Sequence, residues 1–200
     1  MAQTDLDILI EHAHIRLPGS TTGTIQLELG ALLREFCDYT MVWTAQTPFN
    51  TIVNQTAYIL PDPPDGIVSR LLNVVDVDNR PTLATYAPPS TVVLGRTPNT
   101  VQALTANFVL LPDNYDPLGV PDWVLAKYRN GLLDGVTGRM MAQAAKPYSN
   151  AQGAIAYTTL YRKARAQAKN EVLHQFSFRG QGWIYPQAMA ASRRNQRGMI

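Results

Sequence analysis

The 200-residue sequence contains a single cysteine, Cys37, and has no long apolar run. One cysteine excludes an internal disulfide and fits synthesis in a reducing cytosol. Because Cys37 stands beside Phe36 at the end of a predicted helix, we interpret it as a small core residue rather than a nucleophile. No segment approaches the ~18 consecutive apolar residues of a membrane-spanning helix. Residues 1–7 are acidic and lack an apolar stretch, so we expect no signal peptide.

The sequence also lacks the motifs of the common catalytic sites. It contains no G-x-S-x-G, no Walker-type phosphate loop and no H-E-x-x-H. His12 and His14 form an H-x-H pair, but no further ligands follow at zinc-site spacing. Residues 76–79 (DVDN) lack the glycine and glutamate of a calcium loop and are more typical of a hairpin turn. We therefore expect a protein that is not an enzyme and holds no metal or cofactor.

Charge is distributed unevenly along the chain. Residues 1–150 hold nine Lys/Arg against fourteen Asp/Glu, a net charge of −5, whereas residues 151–200 hold eight against one, a net charge of +7. The C-terminal quarter is therefore the part expected to meet an acidic partner, which could be nucleic acid or an acidic protein surface.

Two long helices joined by a short loop are predicted between residues 121 and 176. Apolar side chains recur every three or four residues in both segments, which indicates one buried face on each helix. Residues 146–148 (KPY) interrupt the pattern, and residues 149–152 (SNAQ) match a capping box that would start the second helix. So short a loop requires the two helices to be antiparallel neighbours.

The first of these helices carries a second stripe, made of small residues. Each glycine inside a helix costs ~1 kcal/mol relative to alanine, so a row of them indicates close packing of another helix, within the chain or between subunits. The alternative is a mobile helix centre. The stripe consists of Gly131, Gly135, Gly138, Ala142 and Ala145.

The second helix has a basic edge formed by Arg162, Arg165 and Lys169. This edge is a candidate face for a DNA channel or an acidic partner. Earlier in the chain, residues 5–11 are expected to form one or two helical turns. Threonines before residue 25 can cap a helix over residues 25–39 that packs on the hairpin.

Between these helical parts the sequence changes to short β-type runs separated by prolines. Strands are predicted at residues 41–47, 51–53, 57–60, 67–77, 91–94 and 101–111. The predicted fold class is therefore α+β: an antiparallel helical bundle with an inserted small antiparallel β-sandwich or barrel, followed by an extended C-terminal arm. The predicted domains are residues 1–40 with 119–176 (helical), 41–118 (β insert) and 177–200 (arm).

The arm has no lasting periodicity and mixes aromatic side chains with arginines. Disordered tails are poor in aromatics, whereas aromatic residues and arginine anchor protein interfaces. We interpret the segment as an arm that docks on another subunit or protein; the alternative is that it folds back on its own domain. The residues proposed to bind are Phe178, Arg179, Trp183, Ile184, Tyr185, Arg193, Arg194 and Arg197.

The order of these pieces resembles a known family. Residues 33–37 (LREFC) end a helix and 42–44 (VWT) open a strand, followed by the β insert. Residues 118–123 (LGVPDW) then open a helix, and 144–150 (AAKPYSN) join two helices. Together they look like the head-to-tail adaptor, or neck, proteins of tailed double-stranded DNA bacteriophages.

The resemblance implies a structural virion protein, made in the bacterial cytoplasm, that forms a ring, usually of twelve copies, beneath the portal. Helices would stack subunit against subunit, the β insert would face a downstream tail or nozzle protein, and the arm would reach the portal protein. DNA would pass through the centre with transient, non-specific contacts, and no membrane would be involved.

A second hypothesis is a non-enzymatic nucleic-acid-binding module that places the basic C-terminal region on phosphates. Against it, the basic residues belong to no known readout motif. The two hypotheses differ in salt response, because complexes formed through phosphates weaken steeply as salt rises.

Overall fold

The computed structural model describes residues 4–63, 66–113 and 118–177. Four helices are present in these residues: α1 (Asp5–Arg16), α2 (Thr22–Thr40), α3 (Asp122–Met141) and α4 (Ala151–Ser177). Between α2 and α3 lie seven strands: β1 (Thr44–Asn50), β2 (Ala57–Ile59), β3 (Ile67–Asp76), β4 (Pro81–Thr82), β5 (Ala84–Ala87), β6 (Thr91–Leu94) and β7 (Ala103–Leu111).

Side-chain caps fix where most of the helices begin. Thr4 caps α1 in a capping box with Asp7, and the Thr21 side chain accepts a hydrogen bond from the Thr24 amide at the start of α2. At the start of α4 the cap is Asn150, whose side chain accepts from the Gly153 amide at 2.9 Å. The capping box predicted over residues 149–152 is thus replaced by an Asn cap one position later.

The other three helices pack around α3. Residues late in α3 contact the beginning of α4, so these helices are antiparallel as predicted, and α1 and α2 also pack on α3. Ion pairs join α1 to α3: Arg16 to Asp134 at 2.6 Å, and Arg129 to Asp5. The shared core is apolar and contains the ring of Phe36, whose centroid lies 5.1 Å from that of Tyr128.

The strands form two antiparallel sheets. The larger has the order β1-β7-β3-β4 and the smaller the order β2-β6-β5. One end of the larger sheet adjoins α2, since β1 follows that helix directly and the Leu110 amide donates to the Trp43 carbonyl. At the other end Asn50 faces Ala103 and Asp76 faces Leu104. Nine residues of β7 separate the two ends by roughly 27 Å at ~3.4 Å per residue.

The predicted fold class was wrong. The described residues form a mixed α/β fold with four helices and two separate antiparallel sheets, and neither sheet closes into a barrel. The chain passes from the larger sheet to the smaller at Leu83, between the two-residue strand β4 and β5. The outer strand β1 contains Pro48, which cannot donate a ladder hydrogen bond and is typical of a sheet edge. Ser177, the first residue of the predicted arm, is the last residue of α4, and residues 178–200 lie outside the described residues.

Strand positions differ from the prediction in several places. The first strand, predicted over residues 41–47, runs from Thr44 to Asn50. Residues 51–53, predicted as a strand, form a connection after β1. Strands β4 and β5 were not predicted, because both are short and Pro81 opens the first of them. The hairpin turn predicted near residues 76–79 is confirmed: the Asp76 carboxylate accepts from the amides of Asp78 and Arg80 at 2.9 and 2.8 Å.

Candidate interaction surfaces

The glycine stripe of α3 lies against other helices of the same chain. A Cβ atom added at Gly131 would lie 2.7 Å from the Cβ of Ala164. At Gly138 it would lie 2.9 Å from the backbone nitrogen of Thr158. At Gly135 it would meet Leu32 of α2 at 2.7 Å. Real Cβ atoms do not approach this closely, so these three glycines allow the α3 backbone to come close to α4 and α2.

The two alanines of the predicted stripe lie elsewhere. Ala142 is exposed and follows α3 directly, and Ala145 is exposed in the turn that leads to α4, with a φ of 60°. The buried part of the stripe therefore ends at Gly138. Its position explains helix packing within the chain, so these three glycines do not support the alternative of packing between subunits.

Glu35 on α2 connects the helices that carry the basic side chains. One carboxylate oxygen accepts from Arg139 of α3 and the other from Arg165 of α4. The nearby hydroxyl of Tyr161 is buried, and burial raises its pKa to about 12, with the Glu35 charge adding to the effect. At neutral pH this tyrosine is therefore uncharged, and Glu35 supplies the negative charge of the cluster.

The predicted basic edge is divided by this arrangement. The guanidinium carbon of Arg165 lies 4.1 Å from the centre of the Tyr39 ring, and the Lys169 ammonium lies 4.3 Å from the same ring. Both cations are thus stacked on an aromatic face within the chain. Arg162 is exposed instead. Of the three residues, Arg162 is the one most open to an outside partner.

The side of α4 opposite its buried residues combines apolar and cationic side chains. We call this surface the outer face of α4. Ile155 is 70% exposed, and two further aliphatic side chains of the helix, Leu160 and Leu173, are exposed by 46% and 43%. Exposed apolar surface of this kind marks interaction sites more often than single scattered residues do. The outer face of α4 consists of Ile155, Leu160, Arg162, Lys163 and Leu173.

A second exposed apolar group lies at the end of the larger sheet remote from α2. We call it the β tip. Ile52 and Val53 follow β1, Val77 follows β3 and Val101 precedes β7, and all four are exposed. Because Asn50 pairs with Ala103, Ile52 and Val53 lie at the same end of the larger sheet as Val101. Strand β3 ends there too, at Asp76, which faces Leu104. The sequence alone did not indicate this cluster.

Local hydrogen bonds hold the β tip in shape. The Thr51 amide donates to the Gln102 carbonyl at 2.8 Å, and the Thr51 hydroxyl donates to the Thr100 carbonyl at 3.0 Å. The Asn54 amide donates to the Pro98 carbonyl at 3.0 Å. These bonds cross between connections far apart in sequence, so the apolar side chains project from a fixed backbone.

The residues considered for catalysis or metal binding do not form a site. Burial raises the pKa of Cys37 to about 12, so its thiol stays protonated at neutral pH. His14 hydrogen-bonds with Thr22 at 3.1 Å at the end of α1. Among the described residues, no group of three or more His, Cys, Asp or Glu side chains is placed to hold a metal ion.

The residues predicted to bind the portal lie outside the described part of the chain. They are Phe178, Arg179, Trp183, Ile184, Tyr185, Arg193, Arg194 and Arg197. Their proposed role stays a prediction from composition.

Little in the residue pattern indicated that Glu35 and Tyr39 would be partners of the basic side chains. Both residues are next to buried residues of α2 in the sequence, but their cationic partners lie more than one hundred residues further along the chain. The available signal was the position of the Glu35 carboxylate at the edge of an apolar helix face.

No protein-family model matches this chain, and no curated protein sequence matches it. In the described residues, no helix is both long and apolar enough to cross a membrane.

Proposed function

We propose that this protein is a structural virion component of a tailed double-stranded DNA bacteriophage, a head-to-tail adaptor that forms a ring between the portal and the tail. Its partners would be copies of itself, the portal protein and a downstream tail or nozzle protein. DNA would pass through the centre of the ring with transient, non-specific contacts. The motif order described above is the source of this proposal.

The structural observation that supports it most is the separation of two exposed apolar surfaces. The outer face of α4 lies on the helical part, and the β tip lies at the sheet end remote from α2. A connector must bind its neighbours and a further protein at the same time, and two distant apolar surfaces on one chain suit that task. In this proposal the β tip contacts the tail component and residues 178–200 contact the portal.

The charges of α4 favour weak contact with DNA over tight binding. Arg165 is bound to Glu35 and Lys169 is stacked on Tyr39, so both would have to leave partners in the chain to bind phosphate. Arg162 and Lys163 are exposed and can meet a passing duplex. Contacts to so few phosphates are expected to be independent of sequence and to weaken as salt rises.

Negative-stain electron microscopy of cognate portal rings mixed with the protein tests the proposal. We expect an added ring of density on one side of the portal. A chain ending at Ser177 is the first matched variant, and it should keep its fold but not join the portal. Val77→Asp together with Val101→Asp is the second, and it should join the portal but not recruit the tail component.

Two results would refute the proposal. One is an unchanged portal ring at protein concentrations of tens of micromolar. The other is tight binding of the isolated protein to duplex DNA at ~150 mM salt with a preferred sequence, which would favour the nucleic-acid-binding module.

A further inference from the structure

We propose that two copies of this chain pack together through the exposed face of the smaller sheet. This surface, called here the outer face of the smaller sheet, consists of two rows of side chains that cross its three strands. The inference goes beyond the proposed function, because a contact between two identical faces joins two chains and cannot by itself close a ring. The rows are Ala57, Val93 and Thr85, and Ile59, Thr91 and Ala87.

The side chains between these rows show which way the sheet faces. The centre of the Tyr58 ring lies 5.2 Å from that of Phe49 in β1, and the centre of the Tyr86 ring lies 5.7 Å from that of Phe108 in β7. Both tyrosines therefore point at the larger sheet, and so does the buried Val92 that pairs with each of them. Because successive side chains of a strand point to opposite faces, the two rows point away from the larger sheet.

The outer face of the smaller sheet carries no ionisable side chain in its rows, and Ile59 is 83% exposed. Leu83, two residues before Thr85, extends the same face at one end. It lies across Gly95, where an added Cβ would be 2.7 Å from the Leu83 Cδ2 atom, and it is still 75% exposed. Exposed apolar surface of this kind marks an interaction site.

One charged side chain lies beyond each end of the rows. Arg96 comes three residues after Val93 on β6, and Asp62 comes three residues after Ile59 on β2. The two strands are antiparallel, so these residues lie at opposite ends of the face. Both are exposed, and neither forms an ion pair with another residue of the described chain.

A two-fold axis that crosses the strands between the two rows brings complementary groups together. Each row then lies over the other row of the second copy, so Ile59 covers the small Ala57. Arg96 of each copy comes to the same end as Asp62 of the other, because both stand three residues beyond their rows. Two sheets packed face to face in this way lie ~10 Å apart with their strands within about 30° of each other. The apolar rows supply the contact, and the two ion pairs set its orientation.

Other occupants fit this face less well. Residues 178–200 contain four arginines and no Asp or Glu, and the rows offer these arginines no carboxylate. Duplex DNA is bound through several cations, and the rows contain none. An identical face avoids both mismatches, because it brings uncharged side chains to uncharged side chains.

The contact is small, so the dimer should be weak and reversible. Three strands ~4.8 Å apart and about six residues at ~3.4 Å each span roughly 10 by 20 Å. That area is well below the ~800 Å² per partner of a standard interface. We therefore expect half of the chains to be dimeric at tens to hundreds of micromolar.

Sedimentation equilibrium up to millimolar concentration measures this association. Ile59→Glu should weaken dimerisation at least tenfold, because it places a carboxylate in each apolar row. Leu27→Glu is the matched control, since Leu27 is a 73% exposed aliphatic residue on α2, and it should dimerise like the unaltered protein. All altered positions are exposed, so circular dichroism and thermal melts should be unchanged.

Charge reversal tests the symmetry of the contact. Arg96→Glu alone and Asp62→Arg alone should each weaken dimerisation, because each places like charges together at both ends. Mixing the two variants should restore the association of the unaltered protein, because each altered charge then meets its opposite. Disulfide trapping gives a second measurement: Ile59→Cys chains should cross-link with Ala57→Cys chains faster than Leu27→Cys chains do.

Three results would overturn the inference. They are an unaltered protein that stays monomeric at millimolar concentration, an Ile59→Glu variant that dimerises as well as Leu27→Glu, and charge variants whose mixture associates no better than each alone. The proposed function can fail separately. A protein that dimerises through this face but ignores the portal would refute the adaptor role alone, whereas a protein that joins the portal but fails these tests would refute this inference alone.

Discussion

Replacing Gly138 by alanine adds one methyl group at the closest approach of α3 and α4. That methyl would lie 2.8 Å from the Thr158 hydroxyl, 2.9 Å from the Thr158 nitrogen and 3.4 Å from the Ala154 carbonyl oxygen. Two of these atoms belong to the backbone of α4, so a side-chain rotation cannot relieve the overlap. The two helices would have to separate by a few tenths of an ångström along a buried contact.

Two opposing free energies decide the outcome. Alanine is favoured over glycine inside a helix by ~1 kcal/mol, whereas overpacking a core typically costs about 1–3 kcal/mol. Gly23 of α2 is the matched control, because a Cβ there has no neighbour within 4 Å. Gly23→Ala should therefore be neutral or stabilising. The difference between the two variants should be about 1–3 kcal/mol in the free energy of unfolding.

Differential scanning calorimetry or a thermal melt measures this difference. At 2–4 °C per kcal/mol for a chain of this size, Gly138→Ala should melt roughly 2–12 °C below Gly23→Ala. The proposal of close helix packing would be refuted if both variants raised Tm equally, because Gly138 would then behave as a flexible position with open space around it.

Three further predictions follow from single side chains. Glu35→Gln should lower the free energy of unfolding by roughly 1–2 kcal/mol in urea melts, because two partly exposed ion pairs at up to ~1 kcal/mol each are lost. The control, Glu28→Gln, should change the free energy of unfolding little. Equal effects of the two variants would contradict the role of Glu35. Mass spectrometry should show that Cys37 resists iodoacetamide at pH 8 in the folded protein and reacts after denaturation, because burial raises its pKa to about 12. Rapid labelling of the native protein would show instead that the thiol is accessible to solvent. The hydrogen bond to Lys127 lowers the pKa of Glu171. The contribution of this pair to stability is therefore present above the usual glutamate pKa and is lost as pH falls through the lowered value. Lys127→Met should move the NMR-titrated pKa of Glu171 upward, and no movement would exclude this pairing.

Regular elements with a strong period could be predicted from the sequence. The 3.6-residue pattern located α2, α3 and α4, and the long apolar runs located β3 and β7. Short strands such as β4 have too few residues to show a period. The sequence left open whether the strands form two sheets or a closed barrel, because that depends on which strands pair, and pairing joins residues far apart in the sequence.

The glycine stripe shows the same limit at the level of side chains. Spacing on one helix indicates that something packs closely, but it does not say what. The partner atoms belong to Ala164, Thr158 and Leu32, which lie on two other helices. The choice between packing within the chain and packing between subunits therefore required the structure.

The charge asymmetry of the sequence is partly neutralised inside the fold. The acidic first 150 residues supply Glu35, and the basic last 50 supply Arg165, so one acid and one base from the two halves meet across α2 and α4. Four of the eight cations after residue 150 lie in the described part of α4, and Arg165 and Lys169 are held against α2. The positive charge left for an outside partner is therefore smaller than the net +7 indicates. In the described residues of α4 it is concentrated at Arg162 and Lys163, which lie beside exposed aliphatic groups, so a partner must offer both carboxylates and apolar surface. A phosphate backbone offers negative charge without apolar surface, and for this reason a protein surface that carries both suits the outer face of α4 better than DNA does.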